Sequence, residues 1–538
     1  MSGNMPPGTP FPGDQDPDRT VAYRTPRPPQ QGLPQQGPPQ QGSAHTAGWP
    51  ISEEFGPAAP SPPTRKGMRG WIVALVAAIV VGVVGGGGVW AAAKLSGGGT
   101  QPHEVLPGNA IAYVRIDLDP AANQKIAMFD IARKFSATKE TFSGDDPRKA
   151  AFEALRGNDP KLSHVDYAKD IEPWLGDRIG FAVLPPAQKG ADPGPVLAVQ
   201  VKDEEAARAG LTRMSSGAAE REPMGIAFRD GYAIVAPDQS AADRYAATPP
   251  LSEDSRFTGD MDALGEQGVL SFWGDLAQIA QLSTPREATP AALELLKDAR
   301  FAGALRFGDD YAELTGTARG TDVKTGQTEA VKLGDLPSST AAALGVTGLG
   351  TILQDKWADI EKALGSQSRA PEQYGLTMPD DLVTLLGKSF TLALDGEDLN
   401  LATPLGGTGP KVGTILETDP AKAESVLAKL EAAGADAGQA APGKAHGDGK
   451  LIFATSQDYA DKLATAGTLR DSESFQKAVP GADDAGFALY ADLDKLETLY
   501  INDLEGEAKA NVAVLRAVGL SGTITEGAAG FTLRVVFN

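Results

Sequence analysis

The sequence predicts an α+β protein. It reads as two tandem homologous α+β domains with mixed or antiparallel sheets, preceded by a disordered tail and one transmembrane helix. Three observations carry this reading. Trp71 to Ala93 holds no charged residue. From residue 103 onward, short apolar runs alternate with stretches of helical periodicity. And residues 333–538 repeat residues 103–320 block by block.

Residues 1–67 are rich in Pro, Gln and Gly, and "PQQG" recurs at Pro29, Pro34 and Pro39. Such a segment buries too little apolar surface to offset its ordering entropy, so it reads as a disordered tail with polyproline II character. Residues 68–95 follow as the transmembrane helix. At ~1.5 Å per residue the apolar run covers the ~30 Å hydrocarbon core. Gly85 to Gly88 weaken a helix in water, but in lipid the backbone has no other partner. Ala91 to Ala93 resemble a cleavage site, yet the apolar run exceeds the ~7–15 residues of a secretory signal. Arg65, Lys66 and Arg69 precede the run and only Lys94 closes it, which puts the N-terminus in the cytoplasm and residues 96–538 outside. Ala74, Ala78, Gly82 and Gly86 share one helix face, a stripe suited to self-association in the membrane.

"SGGGTQP" (96–102) reads as a flexible linker. Beyond it, "IAYVRIDL", "RIGFAVL", "VLAVQV", "GYAIVAP" and "GVLSFWGDL" predict strands. "DEEAARAGLTRM", "DPAKAESVLAKLEAAG" and "KLETLYINDLEGEAKANVAVLRAVG" predict helices, which are expected to pack on one sheet face. The repeat pairs Leu106-Pro107 with Leu336-Pro337, Gly176 with Gly387, Asp203 with Asp419 and Phe257 with Phe475. It also sets the hairpin "FAGALRFGDDYAELTGTAR" beside "GLSGTITEGAAGFTLRVVF". The offset falls from 230 at Leu106 to 211 at Gly176, so the first copy carries an insertion near "FSGDDPRKAAFEALRGNDPK".

A Pro/Gln-rich tail, one anchor, "LP" before a strand ending in Asp117-Leu118-Asp119-Pro120, and the "WLG" turn at Trp174-Leu175-Gly176 form an ordered set. This set resembles the bacterial family known as domain of unknown function 3352, over residues ~68–538. The resemblance implies a membrane-anchored exterior protein of the cell envelope and supplies no activity, cofactor or catalytic residue.

The chain carries a formal charge of −21 and no cysteine. Five acids and seven bases lie in residues 1–99, so the remainder bears −23. That acidity excludes a nucleic-acid partner, which needs a basic patch. Without disulfides the exterior part must rest on its core alone. The sharpest candidates for chemistry are the acids at strand ends: Asp117 and Asp119, Asp492 and Asp494, and Asp275. Paired carboxylates serve glycosidases and hard cations. The same residues between a strand and a helix serve as N-caps, and this reading is preferred because the motif recurs and the second copy has Thr347 in place of Asp117. Asp203 and Asp419 fit the same description. His45, His103, His164 and His446 show no metal-ligand spacing, and "GLGTIL" (348–353) lacks a dinucleotide fingerprint. "DGEDLN" (395–400) lacks the EF-hand spacing, and Trp174 with Leu175 reads as core. The sequence therefore assigns no catalytic, cofactor-binding or metal-binding residue and no cofactor. Its first functional reading is a non-enzymatic, membrane-anchored scaffold or partner-binding module of the envelope. The alternatives are a binding protein for a small molecule or lipid held between the two repeats, and a hydrolase using an acidic pair.

Overall fold

The structure is a computed structural model. It describes residues 99–538 except 140–147, most of 150–161, 189–190, 217–223, 283–296, 321–328, most of 398–408, 437–440 and 526. The expected tail (1–67), the transmembrane helix (68–95) with its Gly82–Gly86 stripe, the start of the linker and most of the expected insertion lie outside the described residues. Among the described residues no helix is long and apolar enough to cross a membrane.

Strands arise where apolar residues alternate or run continuously. The first half contains β1 (Ala112–Asp117), α1 (Ala122–Lys134), β2 (Leu175–Leu184), β3 (Gly194–Val201), α2 (Glu204–Ser216), β4 (Gly225–Arg229) and β5 (Tyr232–Ala236). It continues with α3 (Gln239–Ala247), α4 (Ser255–Leu264), β6 (Leu270–Asp275), α5 (Leu276–Gln281), β7 (Arg300–Gly308) and β8 (Tyr311–Arg319). The second half contains β9 (Thr340–Thr347), α6 (Leu349–Leu364), α7 (Asp380–Leu386), β10 (Ser389–Asp395), β11 (Val412–Glu417), α8 (Pro420–Asp436), β12 (Gly443–Gly447) and β13 (Lys450–Ala454). It ends with α9 (Gln457–Ala464), α10 (Glu473–Ala478), β14 (Phe487–Asp492), α11 (Leu493–Leu496), α12 (Gly506–Val512), β15 (Leu515–Thr525) and β16 (Ala528–Phe537).

All sixteen strands join one sheet in the order β12-β13-β11-β10-β9-β14-β15-β16-β8-β7-β6-β1-β2-β3-β5-β4. Every pairing in it is antiparallel. Outward from the β8–β16 seam, each half runs through the same order: 8-7-6-1-2-3-5-4 on one side and 16-15-14-9-10-11-13-12 on the other. The sheet is thus antiparallel and continuous across the seam.

Helices cover both faces, not the one expected. Tyr113, Ala182, Val196, Ala198 and Ile234 face a core with Leu106, Phe257 and Trp273. Their strand neighbours Phe181, Leu197, Val199 and Val235 face the other way, onto Trp174 and onto Ala207 and Leu211 of α2. The second half does the same. Ile452 and Ala454 pack with Phe475 and Tyr490, whereas Leu451 packs with Leu416 and with Ala423 and Leu427 of α8. Double-sided burial explains why β3 and β5 are apolar at successive positions. Equivalent aromatic pairs hold the two cores, with Tyr113–Phe257 and Phe475–Tyr490 centroids each 5.2 Å apart.

Two expectations need correction. The helix predicted over 495–519 is instead a series of short turns around α12, and Leu515 already begins β15; Gly506, at φ +57°, breaks the run. The linker is not free along its whole length. Tyr232 donates to the Thr100 carbonyl at 2.7 Å, Arg115 donates to the Gln101 side chain at 3.1 Å, and Pro102 is buried.

Candidate apolar binding face

The strand-end acids divide into two kinds. Asp203 accepts from the Ala206 N–H at 2.8 Å, Asp275 from Gln278 at 3.0 Å, Asp419 from Ala421 at 3.1 Å and Asp492 from Lys495 at 3.2 Å. These are helix caps satisfying free N–H groups of a first turn. Asp117 and Asp119 are not. Helix α1 starts later, after Ala121, with no side-chain cap. The Asp117 carboxylate is buried, accepts from Arg115 and lies 3.7 Å from Arg178 Nε, with both guanidiniums buried as well. Asp119 pairs with buried Lys125 at 2.9 Å. Desolvation pushes the Asp119 carboxyl up to about 6 against the pull of Lys125, and desolvation lowers the Lys125 ammonium. The place of the Asp117–Arg178 cross-strand pair is taken in the second half by Thr347–Ser389. Asp494 only accepts from the Asn538 side chain, at 3.0 Å.

Asp117 and Asp119 lie together, but the acids of different strand ends do not converge. Asp117 and Asp275 terminate opposite ends of neighbouring antiparallel strands. Among the described residues no group of acids and histidines is arranged to hold a metal ion. His103 packs between Tyr113 and Phe257, and burial lowers its pKa. His164 lies 3.3 Å from the Arg213 carbonyl and His446 is 3.2 Å from Glu424; His45 lies outside the described residues. A hollow beside the first turn of α6 is lined by Lys332, Lys388, Lys422 and Lys450 and by as many acids. Glu417 there pairs with Lys332 at 3.0 Å and Lys450 at 3.2 Å, so the hollow offers no net positive field. Trp174 is core, as its sequence context indicates.

The distinctive surface lies on the middle strands. Cross-strand partners align Leu392, Leu344, Leu489, Leu520, Leu533, Leu314, Leu305 and Leu270 in one row across β10-β9-β14-β15-β16-β8-β7-β6. At ~4.8 Å per strand the row spans about 34 Å. Two residues along each strand, a second row reads Phe390, Val346, Phe487, Gly522, Phe531, Gly316, Gly303 and Phe272. The glycines let the rings lie flat. A Cβ on Gly522 would fall 2.4 Å from the Phe487 ring, one on Gly316 2.6 Å from Phe531, and one on Gly303 2.3 Å from Phe272. Neither row contains a polar side chain.

This floor is exposed where it should be covered. Leu344, Leu392, Leu489 and Phe531 retain 37%, 38%, 36% and 37% of their surface. The opposite face of the same strands is the covered one: Ala343, Ala488, Tyr490, Ala517 and Val536 join one core and Trp273, Ala302 and Ala304 another, with a local polar strip where buried Glu313 accepts from Arg534 at 2.8 Å and Arg306 at 3.2 Å. These strands are therefore apolar on both faces, and a contiguous exposed apolar patch marks a binding surface. One end of the floor is closed, since Met128 and Ile131 of α1 pack with Phe307, Leu305, Ala312 and Val535. No reading of the strands singled this floor out. Each strand alone shows ordinary alternation, and only the Gly–Phe pairing across strands marks it.

No curated protein and no solved structure matches the chain. The "LP" strand, the "WLG" turn, the whole first half and the start of the second nevertheless fall within a single family match. The family model described as Protein of unknown function (DUF3352) covers residues 73–440, well over half of the sequence, and the chain belongs to that family.

Proposed function

We propose that this protein binds a long-chain, lipid-like molecule on the apolar floor that crosses the seam between its halves. The carrying observation is the unbroken leucine row, flanked by phenylalanines lying over glycines and more than one-third exposed at Leu344, Leu392, Leu489 and Phe531. A protein partner would need about one hydrogen bond per 100–200 Å² of interface, and these two rows offer no side chain to make one. An acyl chain needs none. The reading takes the protein as membrane-anchored through residues 68–95, with the described part extracytoplasmic and non-enzymatic. Its halves are taken as products of a tandem duplication, supported by their identical strand order. The caps and buried ion pairs that occupy the strand-end acids speak for binding over hydrolysis. The pinning of Thr100 keeps the folded part close to the anchor, because the four steps from Leu95 to Gly99 reach at most ~14 Å.

The test is to purify the full-length protein, extract it with organic solvent and identify bound molecules by mass spectrometry. Near-stoichiometric acyl lipid, reduced in a Leu344→Ser/Leu489→Ser variant, is expected. Lipid-free protein that also fails to take up an added fluorescent fatty acid would refute the proposal.

A further inference from the structure

The two halves differ in one respect that bears on this floor. Helix α1 follows β1 and lies on β7 and β8, burying Met128 and Ile131. Helix α6 follows β9 in the same way but packs against α7 and the 365–374 segment. Its apolar stripe, Leu353, Trp357, Ile360 and Leu364, has the helical spacing of Gln124, Met128, Ile131 and Phe135. None of it joins a buried cluster, and Leu364 is 46% exposed. The surface matching the α1 seat is present too. Phe307 pairs with Ala312 in β7–β8, and Ile524 pairs with Ala529 at the same step of β15–β16. An amphipathic helix and an apolar seat of the right kind thus occur in one half without meeting.

We propose that α6 is a hinged cover for the floor, seating Trp357, Ile360 and Leu364 over Ile524, Ala529 and Phe531 in its closed form. This rests on the lipid-binding reading for what displaces the cover, not for the closure itself. The helix is bounded by Gly348 at φ +73° and Gly365 at φ +56°, two positions where glycine allows the backbone to turn. Reach is sufficient. Strand β15 lies two strands, about 10 Å, from β9, and the 16 residues of α6 extend about 24 Å. Closure would bury apolar surface on both partners, and a bound acyl chain would compete for the same seat.

The chain has no cysteine, so introduced pairs react alone. Full-length Trp357→Cys/Ile524→Cys and a control, Trp357→Cys/Thr523→Cys, are reconstituted in lipid nanodiscs and treated with a short bismaleimide. Thr523 points from the opposite face of β15 and is exposed. The first pair is expected to cross-link at least tenfold faster, and oleic acid is expected to slow it. Equal rates, with all four cysteines open to a maleimide dye and wild-type melting curves, overturn the cover. Fast cross-linking that oleic acid leaves unchanged upholds the closure and counts against the lipid reading alone. If Ile524→Cys misfolds, Ala529→Cys replaces it with the same expectations.

Discussion

Leu344 and Leu489 sit opposite each other on neighbouring strands and each keeps over a third of its surface exposed. Fully burying a leucine side chain is worth about 1.5–3 kcal/mol, so covering the remaining third supplies about 0.5–1 kcal/mol each. Replacing both by serine removes about 1–2 kcal/mol of ligand contact, or roughly a 5- to 30-fold rise in Kd. The assay is titration of full-length protein with a dansyl-labelled fatty acid. Leu416→Ser serves as the control, because Leu416 is 1% exposed beneath α8. It should lower the melting temperature more than either floor substitution yet leave Kd unchanged. A Leu344→Ser/Leu489→Ser protein that binds within twofold of wild type would refute the assignment of the floor.

Other outcomes follow from the same geometry. Gly316→Val must displace the Phe531 ring and should destabilise by about 1–3 kcal/mol in chemical denaturation. Asp117→Ala strips the buried Arg115 and Arg178 of their carboxylate and should cost about 3–5 kcal/mol, whereas Asp275→Ala loses a cap and a contact from Arg256, which is half-exposed and regains water, so about 0.5–2 kcal/mol; urea melts that rank them the other way would contradict the division. Burial alone would raise the Asp395 carboxyl, but Lys462 at 2.9 Å, with the Glu397 N–H and Ser339, holds it below the ordinary carboxylate range. Its contribution is present above the unfolded pKa of about 4 and is lost as pH falls further, so acid unfolding should begin at higher pH in Lys462→Met. Asp119 has the opposite sign. With its folded pKa raised to about 6, its stabilising effect is full below about pH 4 and is lost as pH rises through 6, which carbon-13 NMR titration of its carboxyl would report.

Much of this was legible from residue patterns, and the losses have physical causes. Alternation located β1, β2 and β6, and the caps at Asp203, Asp275, Asp419 and Asp492 followed from acids set between strand and helix. Asp117 looks identical in sequence. What makes it an ion pair is Arg178, brought beside it only by the β1–β2 register. The continuous runs "VLAVQV" and "YAIVA" are what cover on two faces requires, a signal that the one-face expectation overlooks. The hairpins, set side by side from their first residues, are one position out. Leu270 pairs with Leu305 and Phe487 with Gly522, so the equivalent of Leu305 is Gly522 and not Thr523. A slip of one residue turns every side chain to the other face, and this one hides the floor.

The β8–β16 seam also bears on how the chain reaches its native state. It joins residues about 220 positions apart, such as Leu314 and Leu533, so the middle of the sheet closes through contacts of very long sequence separation. Until β16 arrives, β8 and β15 each present an unpaired edge whose exposed face is apolar, a template for pairing with another chain. Chain release before residue 528 would therefore leave two sticky edges and half a floor, and degradation or chaperone capture should fall most heavily on such truncated products.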